Sequence, residues 1–439
     1  MRTNIVHIGA DELTYEIREI VEVGENMEKL GVSILWENIG DPIAKGQEVP
    51  KWIKEIINKT VVEDGKSFGY SPTKGLLETR EFIARQRQEE GVSITADDIL
   101  FFNGLGDAIS IVYTYLNRGA RVIGPNPAYP THSSAEGAHA GSRHITYSLN
   151  PHRNWLPDLE DLRNKIKYNP SISGILIINP DNPTGMVYPK KILKGIVDIA
   201  KEFDLFLISD EIYANIVYGS EKMIPLYSII GDVPAIVMRG LSKEIPWPGA
   251  RCGWVEFYNK DKDPVFARYA KSLVDAKQLE VCSTTLPQKV LPKIFSDKRY
   301  KEYLKTRSEN YRRRADMACD ILGRVSGIVA PKPGGAFYMS VVFEDGVLKQ
   351  GQKLNIPALS AGRKDEEVEK YTEKIVQDIS PDKRFTYYLM ASTGICVVPL
   401  SGFNSDLQGF RITLLEPNED KFEDTIKTIG KKIKEYLTS

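Results

Sequence analysis

Six short apolar runs punctuate the chain between residues 98 and 257: "DILFF", "RVIG", "GILIIN", "LFLISD", "AIVMR" and "GWVEF". None alternates polar with apolar positions, so each predicts a strand covered on both faces. Helical or turn-rich stretches separate them. That alternation predicts an α/β fold with a mostly parallel central sheet sandwiched by helices. Upstream, Asp11 to Leu30 predicts an amphipathic helix, with Leu13, Ile17, Ile20 and Met27 near helical spacing. The loop "ENIGDPIAKGQEVP" comes next. Downstream, "PKPGGAFYMSVVF" and "GICVVPLSGF" predict strands of a smaller α+β lobe, and "FEDTIKTIGKKIKEYL" predicts a closing amphipathic helix. The charged stretch "AGRKDEEVEKYTEKIVQDISPDKRF" predicts a solvated helix inserted in that lobe. The expected organisation is a segment 1–55 joined to the small lobe, a large domain over 56–325 and a small C-terminal domain over 326–439.

Composition narrows the function classes. With 58 basic and 59 acidic residues in 439, there is no net field to draw in nucleic acid or an anionic membrane. No apolar run is long enough to span a bilayer, and the first thirty or so residues contain no signal-like apolar core. The four cysteines are far apart and form no zinc-type cluster with histidine. The expectation is a cytoplasmic protein with no metal site.

In doubly wound sheets, ligands gather beyond the carboxyl ends of the strands, so the residues just past each run carry the most information. After "DILFF" comes "NGLGDAIS", Asn103 to Ser110, where small residues open a predicted helix whose free N–H groups suit a phosphate. A glycine turn that only packs strand on helix reads the same way. After "RVIG" comes "PNPAYPTH", placing Tyr129 as a flat aromatic face with His132 three residues on; a sheet-edge tyrosine and a loop histidine are the bland equivalents. "NPDNPTG" is a heavily constrained turn presenting Asn182. "LFLIS" ends in "DEIY", where Asp210 needs a cation or strong donors, unless it is a plain helix cap, and Tyr213 lies three residues on. "AIVMR" leads into "GLSKEIPWPGARCGW", with Ser242, Lys243 and, eight residues after the lysine, Arg251. Arginine forks onto phosphate, and a lysine at a sheet mouth is a candidate for imine chemistry. Any one of these is weak. Their succession after apolar strands supplies what is needed to hold pyridoxal phosphate.

"NPDNPTG", "SDEIY" and the lysine–arginine stretch together resemble the class I/II aminotransferases of pyridoxal-phosphate fold type I, over nearly the whole chain. "TGICVVPLSGF" and "FRITLL" are similar to the alanine and tyrosine aminotransferase branch. The resemblance implies that Lys243 carries the cofactor covalently and acts as acid and base. It implies that Asp210 partners the ring nitrogen, supported by His132, and that Tyr213 and Asn182 donate to the ring oxygen. Tyr129 would stack on the ring. Leu105, Gly106, Ser242 and Arg251 fall at the phosphate, although Gly240 stands where many members carry a further serine. Tyr70, in "GYSPTKG", is similar to a tyrosine that reaches the phosphate of a neighbouring subunit, which implies a homodimer with shared sites. Arg411 matches the arginine that grips the substrate carboxylate, and Gly40 and Asn182 fall at the substrate. The implied reaction moves an amino group from a neutral or aromatic L-amino acid, alanine foremost, to a 2-oxo acid such as 2-oxoglutarate. A β-lyase or an aminocyclopropanecarboxylate-synthase-like enzyme would use the same residues. A non-catalytic regulator on this fold would not need an intact Lys243.

Overall fold

In the computed structural model, which describes residues 5–13, 16–356 and 365–439, the apolar runs become strands of one eight-stranded sheet. In chain order they are Ile99–Phe102 (β1), Arg121–Asn126 (β2), Thr146–Asn150 (β3), Leu156–Pro157 (β4), Ile172–Ile178 (β5), Phe206–Asp210 (β6), Ala235–Gly240 (β7) and Gly253–Tyr258 (β8). Their spatial order is β1-β8-β7-β6-β5-β2-β3-β4. The sheet is mostly parallel, as expected. Its antiparallel members are β8, between β1 and β7, and the edge strand β4. The return from β7 to β8 holds only the four-residue helical turn Leu241–Glu244 and the 3-10 turn Pro248–Ala250. A compact return of this kind gives an antiparallel neighbour. It also keeps Lys243 and Arg251 at the same end of the sheet.

Both faces of the sheet are covered, which explains the unbroken apolar runs. Side chains alternate between the faces with period two. Ile175, Ile177, Leu207 and Val237 enter one core, while Leu176, Ile178, Ile208 and Met238 enter the other. The same alternation separates two neighbouring acids at the end of β6. Asp210 turns to the face of Ile208, where its Oδ2 lies 3.1 Å from His132 Nε2. Glu211 turns to the face of Leu207, where it accepts from the Leu226 N–H at 2.9 Å and pairs with Arg239.

A second, four-stranded antiparallel sheet comprises Ile328–Val329 (β9), Tyr338–Phe343 (β10), Val398–Pro399 (β11) and Gly409–Thr413 (β12), in the order β9-β10-β12-β11. Its core gathers Ile20 and Met27 of the helix Glu16–Lys29 with Tyr338, Phe410 and the closing helix Glu419–Leu437. That last helix is amphipathic as expected, burying Phe422, Ile426, Ile429 and Ile433, and Asn418 caps it by accepting from Lys421 N at 2.9 Å. Leu35–Trp36 pairs in parallel with Ile395–Cys396 and ties the N-terminal segment to this lobe.

Two expectations need correction. The first helix begins at Glu16, while Ala10–Glu12 form a separate 3-10 turn with i→i+3 bonds; Leu13 therefore falls outside the buried stripe and is exposed. The charged stretch is not one solvated helix. Its residues 361–364 lie outside the described ones, Asp365–Ile375 forms an amphipathic helix, and Pro381 starts a second helix, Pro381–Thr393. Proline at a first helical position separates the two. The second helix buries Phe385, Tyr387, Leu389 and Met390 in the small-lobe core. Among the described residues no helix is long and apolar enough to cross a membrane.

Candidate active site

The segments after the parallel strands converge on a cavity of about 500 Å³ at the strands' carboxyl ends. Lys243 sits in the turn Leu241–Glu244, and its Nζ donates to the Gly40 carbonyl at 2.6 Å. Asp210 is buried, held on one side by His132 and on the other by the Ile212 N–H at 3.1 Å to its Oδ1. Tyr213 lies edge-on to Tyr338, and its hydroxyl donates to the Tyr338 hydroxyl at 3.2 Å. Burial, with Tyr338 alongside, pushes the Tyr213 phenol well above its usual range, so it stays protonated as a donor at neutral pH.

One corner of the cavity is built for an anion. Leu105 and Gly106 are the first residues of the helix Leu105–Thr114, whose N-terminal N–H groups lack intrahelical acceptors. Gly104 precedes them at φ 85°, and a Cβ there would lie 2.6 Å from Arg251 Nη2. Only glycine lets the guanidinium approach the helix end so closely. Arg251 itself holds φ 46°, a strained backbone position of the sort that collects at functional sites. The one acid in the helix's first turn, Asp107, is engaged by the Asn103 N–H and by the buried Lys277, each at 2.9 Å.

The opposite side centres on Arg411 of β12, which is 2 % exposed. Its Nη1 donates to Asn182 Oδ1 at 3.0 Å and its Nη2 to the Asn38 carbonyl at 2.5 Å. Its guanidinium carbon stands 4.2 Å from the Tyr338 ring centroid and 5.0 Å from that of Phe403. Arg411 Nε has no hydrogen-bond partner, and among the described residues no ion pair includes Arg411. A buried cation without a carboxylate invites an anionic ligand. Gly40 lets the loop lie against this arginine's aromatic platform, since a Cβ there would fall 2.0 Å from the Tyr338 hydroxyl.

Gly40, Leu105, Gly106, Tyr129, Asn182, Asp210, Tyr213, Ser242, Lys243, Arg251 and Arg411 all line this cavity. His132 stands behind Asp210, fully buried. Tyr70 does not line the cavity and is 87 % exposed. The sequence pattern did not reveal Asn38, Ile39 and Tyr338, nor Ile17, Arg18 and Val21 of the first helix. Asn38 and Ile39 flank Gly40 in "NIGDP" and Tyr338 lies in "GGAFYM", so adjacency to a strand or to a chosen glycine was the available clue. The helix residues read only as an amphipathic face. A larger groove, about 1050 Å³, opens at the amino ends of the strands beside Ser171, Phe206 and Pro234, away from all these polar groups.

Residues 37–429 match the family model described as aminotransferase class I and II, and the chain belongs to that family, whose members work with pyridoxal 5'-phosphate. It is an aminotransferase. It is 54 % identical over the full length of both chains to an uncharacterized aminotransferase of Methanocaldococcus jannaschii. It is 30 % identical to a glutamate-pyruvate aminotransferase of Escherichia coli, with 75 % of this chain and 80 % of that one covered. Among solved structures, an alanine aminotransferase from Pyrococcus furiosus superposes with TM-score 0.82 at 28 % identity, covering 99 % of this chain and 100 % of that one. A Thermus thermophilus aspartate aminotransferase variant shares the fold at TM-score 0.76 and 21 % identity, covering 95 % of this chain and 96 % of that one.

Proposed function

We propose that this aminotransferase binds pyridoxal 5'-phosphate through Lys243 and moves an amino group between a small neutral L-amino acid, alanine foremost, and a 2-oxo dicarboxylate such as 2-oxoglutarate. The observation that carries the reading is the meeting of the Lys243 amine, the Asp210 carboxyl, the Arg251 fork and the unpaired buried Arg411 around one cavity. The donor set suits the cofactor. A helix N-terminus beside Arg251 matches its phosphate, the His132-backed Asp210 its ring nitrogen, and the protonated Tyr213 with Asn182 its ring oxygen. Ser242 and the Tyr129 ring complete that wall.

When bound, the cofactor supplies a conjugated ring that delocalises the electron pair released at the substrate α-carbon. Arg411 would hold the α-carboxylate through a planar pair of donors, which fixes the α-carbon relative to Lys243. The Lys243 amine, already turned toward Gly40, would take the α-proton and return it, as base and then acid. Asp210 would keep the proton on the ring nitrogen by opposite charge. The substrate wall supports the choice of acids. Ile17, Val21 and Ile39 suit a short aliphatic side chain, and Arg18 among them suits a distal carboxylate. The names of the alanine and glutamate-pyruvate relatives point the same way.

We further propose a homodimer with shared sites, working in the cytoplasm; the phosphate corner supports the sharing. Gly106 and Arg251 remain exposed in the single chain, and Phe68 and Tyr70 stand outward at 76 % and 87 % exposure. Mixing Lys243→Ala with Tyr70→Phe protein and recovering activity in hybrid dimers would support sharing; no recovery would count against it. The substrate reading is tested by supplying each amino acid with 2-oxoglutarate and measuring glutamate. Alanine is expected to lead. Ammonia released without glutamate would overturn transamination.

A further inference from the structure

Arg307 lies on the helix Tyr300–Leu322, outside the cavity, with 8 % exposure. Its Nη1 donates to the carbonyls of Lys243 and Glu244 at 2.9 and 2.5 Å. These carbonyls end the turn Leu241–Glu244, where a helical segment has no internal donors left. A guanidinium satisfies both at once, and positive charge suits that end of the turn. Its Nη2 reaches the other way, donating to Tyr311 Oη at 2.9 Å and to Gln47 Oε1 at 3.4 Å. Tyr311 donates to the same Gln47 oxygen at 3.1 Å.

Gln47 closes the loop that begins at Asn38. Its N–H donates to the Pro42 carbonyl at 2.9 Å and its side-chain amide to the Leu415 carbonyl at 3.2 Å. That loop delivers the Gly40 carbonyl to Lys243 Nζ and the Asn38 carbonyl to Arg411. Arg307 thus grips the lysine's backbone from behind while bonding to the loop that meets the lysine's amine in front. We infer that Arg307, with Tyr311 and Gln47, is a positioning residue: a latch that fixes loop 38–47 against the Lys243 turn and so sets the spacing between the amine and the carboxylate-gripping Arg411. Its catalytic consequence rests on the proposed roles of Lys243 and Arg411; its mechanical part does not.

Wild type, Arg307→Met, Arg307→Lys and Gln47→Leu are compared by hydrogen exchange, with and without added pyridoxal 5'-phosphate, and by steady-state kinetics. Arg307→Met is expected to speed exchange about tenfold in segments 38–47 and 241–245 and to leave the helix 105–114 unchanged. Gln47→Leu is expected to loosen the loop alone. In Arg307→Met, kcat/KM for the amino acid is expected to fall by roughly ten- to a hundredfold, the scale of a small misplacement, with cofactor affinity nearly constant. Arg307→Lys, which can still donate to the two carbonyls, is expected to recover part of that loss. Loop and turn exchanging as in wild type would overturn the latch, as would exchange that rises evenly across the protein. Should Arg307→Met fail to fold, an unaltered loop in Gln47→Leu would overturn it. The expected exchange pattern in a protein without transaminase activity would uphold the latch and remove the functional reading instead.

Discussion

The cavity has two walls of different origin. The wall assigned to the cofactor is made by strand ends of one sheet: Leu105 after β1, Tyr129 after β2, Asn182 after β5, Asp210 at the end of β6 and Lys243 after β7. The wall assigned to the substrate draws Ile17 and Arg18 from a helix, Asn38 and Gly40 from a loop, Tyr338 from β10 and Arg411 from β12. The first is fixed by topology within one sheet; the second exists only once the N-terminal segment and the small lobe meet the large sheet. On the proposed roles, the first wall serves the cofactor, while the second, apart from the α-carboxylate grip of Arg411, is where substrates would be told apart.

Removing the amine should have the largest effect. Lys243→Ala is expected to lower kcat by about 10⁴-fold or more and to abolish the visible absorbance of the lysine-bound cofactor; retention of either measure in purified protein would break the assignment. Arg411→Ala should come next, lowering kcat/KM for amino acids by about 10²- to 10³-fold with less than about threefold change in cofactor affinity, as expected for a lost pair of charged hydrogen bonds. Equal losses of substrate and cofactor binding would erase the distinction between the walls. Arg18→Met is expected to raise KM for glutamate and 2-oxoglutarate about tenfold and to leave alanine nearly unaffected, because only the former carry a second carboxylate. Parallel effects on alanine would remove Arg18 from substrate choice.

The smallest effect concerns the turn that joins the walls through Asn182. Burial lifts the Asp181 carboxyl to about 7, although Thr184 donates to it twice. The folded chain then holds a proton that the unfolded chain releases above about pH 4, so stability falls as pH rises from about 4 to about 7. Asp181→Asn keeps the acceptor for Thr184 and removes that loss. Its Tm advantage over wild type should grow across this window by a few degrees at most, roughly; a constant difference from pH 4 to pH 8 would show that Asp181 does not titrate there.

The difference between the walls also explains what the sequence reveals. Buried strands announce themselves as apolar runs, and a polar residue just beyond such a run is conspicuous, so Asp210, Lys243 and Asn182 stand out without coordinates. Arg411 and Tyr70 were reached through family resemblance, not through local pattern. Arg18 looks like any charge beside an apolar helix face, because its neighbourhood depends on how the first helix meets the large sheet. Helix Pro381–Thr393 was hidden for a related reason: charges in the preceding residues masked a segment that is mostly core. The reversal at β8 left no mark in the strand itself, since a strand covered on both faces reads alike in either direction; only the short connection after β7 hinted at it.

Asp210 and Glu211 are adjacent carboxylates dispatched to opposite sides of one strand, and parity alone decides which of them meets the active centre. Deleting a single residue between Leu205 and Asp210 would bring Glu211 to that position, handing the reaction an acid whose customary arginine is on the far side and stranding that arginine in turn; inserting one would bring Ser209 there instead. Length variation during evolution or engineering is therefore more tolerable in the loop before this strand than inside it, even where the hydrophobic count is preserved.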